Sequence, residues 1–137
     1  MRRKHIEGGI PAERIIVKPN FVGSNLDQGP GDGDYALFVA RLMPEKGAKL
    51  LLDTWRRLGK KLRLKIVGDG PLQDMVRKEA SEIEGVDYLG RQSLDQVYEL
   101  LSRAACLVSA STWYEGFPRT FIESFAVGTP VIAPALG

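Results

Sequence analysis

Cysteine and histidine each occur once, as Cys106 and His5, in a chain of 137 residues. A lone thiol cannot close an internal disulfide, which excludes a stapled, disulfide-held scaffold. One Cys and one His also fall short of the ligand set of a structural zinc site, so no metal is expected. No run of about 18 apolar residues is present to cross a bilayer. Arg2, Arg3 and Lys4 are followed by no apolar stretch, so the start lacks the pattern of a secretory signal, and the cytoplasm is the expected location. An excess of one charge is missing as well. The 19 basic and 17 acidic residues leave a net charge of +2, too balanced to point to nucleic acid as a partner.

What is present suits one α/β domain. Hydrophobic residues make up 44% and charged residues 26% of the chain, ordinary values for a globular fold and far from those of a disordered one. A chain of this size buries roughly two-thirds of its unfolded surface. Residues 1–22 form a basic lead-in in which Arg14–Lys18 is expected to be a short strand, stopped by Pro19 and Asn20. Residues 23–34 are a Gly- and Asp-rich loop or linker; their acids lack the spacing and closing glutamate of a calcium loop. From Tyr35 onward, short apolar runs at Tyr35–Ala40, Leu62–Val67, Val86–Leu89, Cys106–Val108 and Val131–Ala133 alternate with helical stripes. The stripes are Leu51, Leu52, Trp55 and Leu58; Leu72, Met75, Val76, Ala80 and Ile83; Leu94, Val97, Tyr98 and Leu101; and Ile122, Phe125 and Ala126. All are expected to be core. Pro71 suits a first helical position, and Ser93 with Gln96 forms a capping-box pattern. Nearly all-apolar strands separated by helices predict a parallel, Rossmann-like sheet with helices on both faces. Ligands of such sheets sit beyond the carboxyl ends of the strands, so the loops there are where chemistry is expected.

Four loops carry candidates. Arg41 and Lys46 flank Pro44 before a helix, either as an anion site or as solvated cations with Glu45 as a local partner. Gly68-Asp69-Gly70-Pro71 permits close backbone approach or simply a tight turn. It is not a dinucleotide fingerprint, whose third glycine would fall at Gln73, nor a phosphate-binding P-loop. Arg91, after Gly90, is either a base or phosphate contact or a solvated arginine. The fourth loop runs from Ser109 through Trp113 and Tyr114 to Glu115-Gly116-Phe117-Pro118-Arg119. Glu123 lies one helical turn beyond Arg119, on the same face. Two carboxylates about a helix start could bind hydroxyl-rich groups on either side of a phosphate, or could merely favour the helix dipole.

Glu115-Gly116-Phe117-Pro118 followed by Glu123, with seven residues between the glutamates, resembles the E-x7-E signature of retaining GT-B-type glycosyltransferases, family 4. Lys18-Pro19-Asn20, Val39-Ala40-Arg41-Leu42 with Glu45-Lys46-Gly47, Val67-Gly68-Asp69-Gly70-Pro71, Tyr88-Leu89-Gly90, Ser109 to Ser111 and Gly128-Thr129-Pro130-Val131-Ile132-Ala133 match in the same order. The resemblance covers essentially the whole chain. It implies that residues 35–137 form a nucleotide-sugar-binding domain, with the donor as substrate and no cofactor. Arg41 and Lys46 match the cations that neutralise the donor diphosphate, so no metal need sit there. Glu123 matches the residue that accepts from the ribose hydroxyls, Glu115 the glutamate beside the donor sugar, and Gly116, Phe117 and Pro118 the loop that holds sugar and phosphate. Gly68 and Gly70 would line the cleft, and Arg91 would lie by the nucleobase.

The same family places acceptor binding and an important histidine in an N-terminal domain. That partner domain is expected to be missing here, and His5 matches no motif position. The C-terminal end is also shorter than the family pattern, and Ser124 stands where alanine is frequent. The resemblance therefore implies the donor-binding part of a sugar transferase of envelope, capsule or exopolysaccharide synthesis. The full enzyme would be able to associate peripherally with the inner face of a membrane, and the fragment alone is expected to be inactive. Epimerases and glycan phosphorylases of the same fold, or a non-catalytic flavodoxin-like binding module, are the alternatives.

Overall fold

The computed structural model describes residues 2–23 and 26–135. The elements in chain order are α1 (Arg2–Glu7), β1 (Tyr35–Val39), α2 (Ala48–Leu58), β2 (Arg63–Val67), α3 (Gln73–Ser81), β3 (Val86–Gly90), α4 (Leu94–Arg103), β4 (Cys106–Val108), α5 (Arg119–Ala126) and β5 (Val131–Ile132). The strands form one five-stranded sheet in the order β3-β2-β1-β4-β5, with every described pairing parallel. The α/β, Rossmann-like architecture expected from the sequence is the one observed.

The pleat explains why the strands are apolar throughout. Alternate residues of a strand point to opposite faces. Ala36 and Phe38 of β1 join a core with Leu51, Leu52 and Trp55 of α2 and Val76 and Ala80 of α3. Tyr35 and Leu37 join a second core with Val97 and Leu101 of α4 and with Val127 after α5. Both faces are thus covered, and polar atoms are satisfied within them. The Trp55 indole donates to the Leu62 carbonyl at 2.8 Å, and the Tyr35 hydroxyl donates to the Leu100 carbonyl at 2.8 Å. On the second face the Thr129 hydroxyl donates to the Leu101 carbonyl at 2.6 Å.

Local expectations fared unevenly. Ser93 caps α4 with Gln96 in a complete capping box. The second regular helix opens at Gln73 rather than at Pro71, which lies in the preceding turn. Leu58, Leu94 and Phe125 are exposed at 39%, 49% and 56%, because each sits at the margin of its helix's buried face; on α5 the buried residues are Glu123 and Ser124. Arg14–Lys18 is not a strand. A short 3-10 turn covers Ala12–Arg14, and Ile16 and Val17 stand exposed, since a β-branched run without a neighbouring strand among the described residues has no ladder to join. The loop at 26–34 is docked: the Gly29 N–H donates to the Val127 carbonyl and the Gly31 N–H to the Ser102 carbonyl, at 3.1 and 3.2 Å. Ser24, Asn25, Leu136 and Gly137, which fall within the expected loop and domain, lie outside the described residues.

The chain order sets the position of the site. From β1 the chain moves outward to β2 and β3, then α4 returns it to β4 on the other side of β1. The order in which strands are added reverses between β1 and β4, and the helices that follow those two strands, α2 and α5, pack on opposite faces of the sheet. A crevice opens at such a point.

Candidate functional site

The loop after β1 carries Arg41 and passes through a 3-10 turn, Pro44–Lys46, into α2. Gly47 joins the two with φ of 74°, a left-handed conformation that side chains resist. An added Cβ there would overlap the Ala110 carbonyl of the loop after β4. The two loops are therefore in direct backbone contact, and hydrogen bonds fix them. The Thr112 N–H donates to the Glu45 carbonyl at 2.9 Å, and the Ser111 hydroxyl reaches the same carbonyl at 3.2 Å.

This contact brings Lys46 to Glu115, 69 positions apart in the chain. The Lys46 ammonium donates to Glu115 Oε1, and the Ser111 hydroxyl donates to the same oxygen at 3.0 Å. The hydrogen bond from Lys46 holds the Glu115 carboxyl below its ordinary pKa; partial burial opposes the shift, while Ser111 and the Lys46 charge reinforce it. Glu115 is thus an ionised carboxylate in the resting site.

Pro118 forms the N-cap of α5 without a side-chain cap, so the amides of Arg119 and Thr120, two residues that line the adjoining hollow, take no such cap. The Asn20 side-chain amide donates to the Phe117 carbonyl at 2.8 Å and ties the lead-in to this loop. Arg119, the first residue of α5, places Nε 2.9 Å from Glu123 Oε1, and the Glu123 side chain is 5% exposed. The arginine offsets the cost of burying that carboxylate.

Arg41, Lys46, Glu115, Pro118 and Arg119 line one hollow of about 360 Å³. Among the described residues Arg41 has no acidic partner, whereas the other cations are matched, Lys46 with Glu115 and Arg119 with Glu123. A neighbouring cleft of about 880 Å³ continues past Glu115, Gly116 and Phe117 to Trp113 and Tyr114. No group of three or more His, Cys, Asp and Glu side chains suited to a metal occurs among the described residues.

The remaining candidates stand back from the hollow. Glu123 is not among the residues that line it; its carboxylate is paired with Arg119, which is. Arg91 is exposed and 3.6 Å from Asp69. Gly68 and Gly70 lie against the β1 loop, where an added Cβ at Gly68 would overlap the Ala40 carbonyl. The loop they belong to braces Arg41 from behind: the Leu42 N–H donates to the Asp69 carbonyl at 2.6 Å, and the Leu72 N–H to the Leu42 carbonyl at 3.0 Å. Ser111, which lay in the matched Ser109 to Ser111 segment without a role of its own, and Arg119 are additions to the candidate set. Ser111 is 6% exposed, and its place in that segment, four residues before Glu115, was the available signal.

A parallel sheet whose strand order reverses beside a cation-lined crevice is the architecture of the Rossmann-like halves of GT-B glycosyltransferases. The solved structures agree. A lipopolysaccharide outer core galactosyltransferase in its apo form superposes with a TM-score of 0.72 at 28% identity, over 96% of this chain and 40% of that one. An Anabaena protein crystallised with UDP and glucose gives a TM-score of 0.83 at 23% identity, over 99% and 42%. The chain belongs to the family "Glycosyl transferases group 1", whose model matches residues 27–137. An uncharacterised glycosyltransferase of Methanocaldococcus jannaschii is 31% identical over 126 residues, which cover 90% of this chain and 35% of that protein. The chain thus spans about a third of the length of this curated relative.

Proposed function

We propose that the chain supplies the nucleotide-sugar donor site of a glycosyltransferase that moves a sugar from a nucleoside diphosphate to an acceptor hydroxyl with retention of anomeric configuration. The observation that carries this is the convergence of Arg41, Lys46 and Arg119 on one hollow where the strand order reverses. A diphosphate brings about two negative charges to a place that already holds cations and uncapped amide donors, and fixed positive groups stabilise the charge that grows as the diphosphate leaves. The C–O bond from sugar to diphosphate breaks with its electron pair going to the phosphate oxygen, the acceptor oxygen forms the new bond to the sugar carbon, and its proton passes to the leaving diphosphate. No metal ion is needed for charge neutralisation, so chelation should leave nucleotide binding unchanged.

Glu115 lies at the seam between the hollow and the larger cleft, which suits a contact with the donor sugar. Glu123 would accept from ribose hydroxyls once Arg119 turns to the phosphates. The retaining assignment rests on the spacing of these two glutamates. A role in envelope polysaccharide synthesis is supported by the likeness to a lipopolysaccharide galactosyltransferase; peripheral association of the full enzyme with a membrane belongs to the same proposal. An acceptor-binding domain would complete the enzyme, and the 137-residue chain is expected to turn over little by itself.

Calorimetric titration with UDP, GDP and ADP tests the assignment. At least one should bind, and Arg41→Ala should weaken it by about tenfold, equivalent to ~1.4 kcal/mol. Absence of binding by all three would refute it.

A further inference from the structure

The cations of the hollow are largely spoken for before any ligand arrives. Of the three that line it, Lys46 is held by Glu115 and Arg119 by Glu123, which leaves Arg41 alone without an acidic partner among the described residues. Three cations and their two carboxylates keep one net positive charge, whereas a diphosphate carries more than one negative charge. Glu115 itself lines the hollow, so an incoming diphosphate meets it as a rival for the Lys46 ammonium. A carboxylate and a phosphate drawn to one ammonium also stand close enough to repel each other.

The backbone around the pair is fixed, and the side chains are not. The Thr112 N–H and the Ser111 hydroxyl both bond the Glu45 carbonyl, which locks the two loops together. The Lys46 and Glu115 side chains are still 31% and 28% exposed, and a lysine ammonium on its flexible stem changes partner by rotation alone. Ser111 supplies what such an exchange needs. Its hydroxyl donates to the same Glu115 oxygen that Lys46 bonds, at 3.0 Å, so the carboxylate keeps a partner and its place when the ammonium leaves. Resting on the donor-site reading above, we propose that Glu115 is a built-in counter-anion: it competes with the diphosphate for Lys46, and Ser111 is the positioning residue that holds it beside the site while displaced. Bare diphosphates are thus bound less tightly than the cations alone would allow, which weakens the hold on the nucleoside diphosphate left when the sugar has gone.

Inorganic pyrophosphate reads the cations without base, ribose or sugar. In calorimetry at neutral pH, Glu115→Gln should bind it about fivefold more tightly than the parent chain, and UDP should gain by a similar factor. In a Lys46→Met background the same change should restore nothing, since no ammonium remains to be freed. Relief of a nearby negative charge alone would raise affinity there too. Glu115→Asp keeps the charge but draws it one methylene back from Lys46; it should gain by a smaller factor, and it gives the reading where the glutamine variant is too unstable. Absent, unchanged or weaker binding of pyrophosphate by Glu115→Gln, or a gain that survives without Lys46, would overturn the proposal. Nucleotide binding separates the two readings. UDP bound equally by the parent and by Glu115→Gln removes the counter-anion alone. UDP, GDP and ADP bound by neither removes the donor reading, and the counter-anion's role with it.

Discussion

Glu115 owes its low pKa to the Lys46 ammonium first and the Ser111 hydroxyl second, against the cost of partial burial. A carboxyl whose folded pKa lies below its unfolded value stabilises the fold above the unfolded value, and that stabilisation disappears as pH falls through the folded one. Glu115→Gln should therefore be less stable than the parent at neutral pH. The difference should shrink as pH drops below 4.5, the ordinary value for this group, and urea melts at neutral pH and at about pH 3 would show it. Cys106 presents the opposite case. Burial raises its thiol pKa, and it lies at 7% exposure in β4. It should resist thiol reagents in the native chain and react on unfolding. Both glutamates, Arg41 and Lys46 were legible as candidates from their loops. The Lys46–Glu115 pair was not, because local spacing carries no information about a contact 69 positions apart. Nor was the burial of Glu123, which needs Arg119 beside it.

At the level of elements, α4 starts where its sequence says it should because the signal is chemical and local. Ser93 and Gln96 satisfy each other's backbone donors, and Ser93→Ala should cost about 1 kcal/mol in denaturant melts. Gly47 is the joint between the β1 loop and the β4 loop. Gly47→Ala forces a side chain into a left-handed conformation and against Ala110, so it should destabilise by at least ~2 kcal/mol and weaken nucleotide binding as Lys46 moves. The apolar strands were legible because burial on both faces leaves a run of hydrophobic residues. Arg14–Lys18 looked alike, but a strand is defined by its partner, and the run Ile15-Ile16-Val17 has none among the described residues. The margins of helices misled for a related reason. Periodicity shows that a face is apolar, while Leu58, Leu94 and Phe125 lie where that face has already curved into solvent.

Across the whole molecule, the sheet order β3-β2-β1-β4-β5 creates the crevice, and the two loops beside it supply the charges. The sequence pattern predicted the parallel sheet and the loops that matter. It did not show that the loop after β2 would serve as a brace for Arg41, since that role depends on Asp69 and Leu42 meeting across strands. The central claim is that Arg41 and Lys46 bind a diphosphate. Phosphorus NMR of UDP titrated with the chain tests it most directly. The account predicts that the β-phosphorus resonance shifts on binding, and that the double variant Arg41→Ala, Lys46→Ala abolishes the shift while remaining folded. An identical shift with the double variant would contradict it.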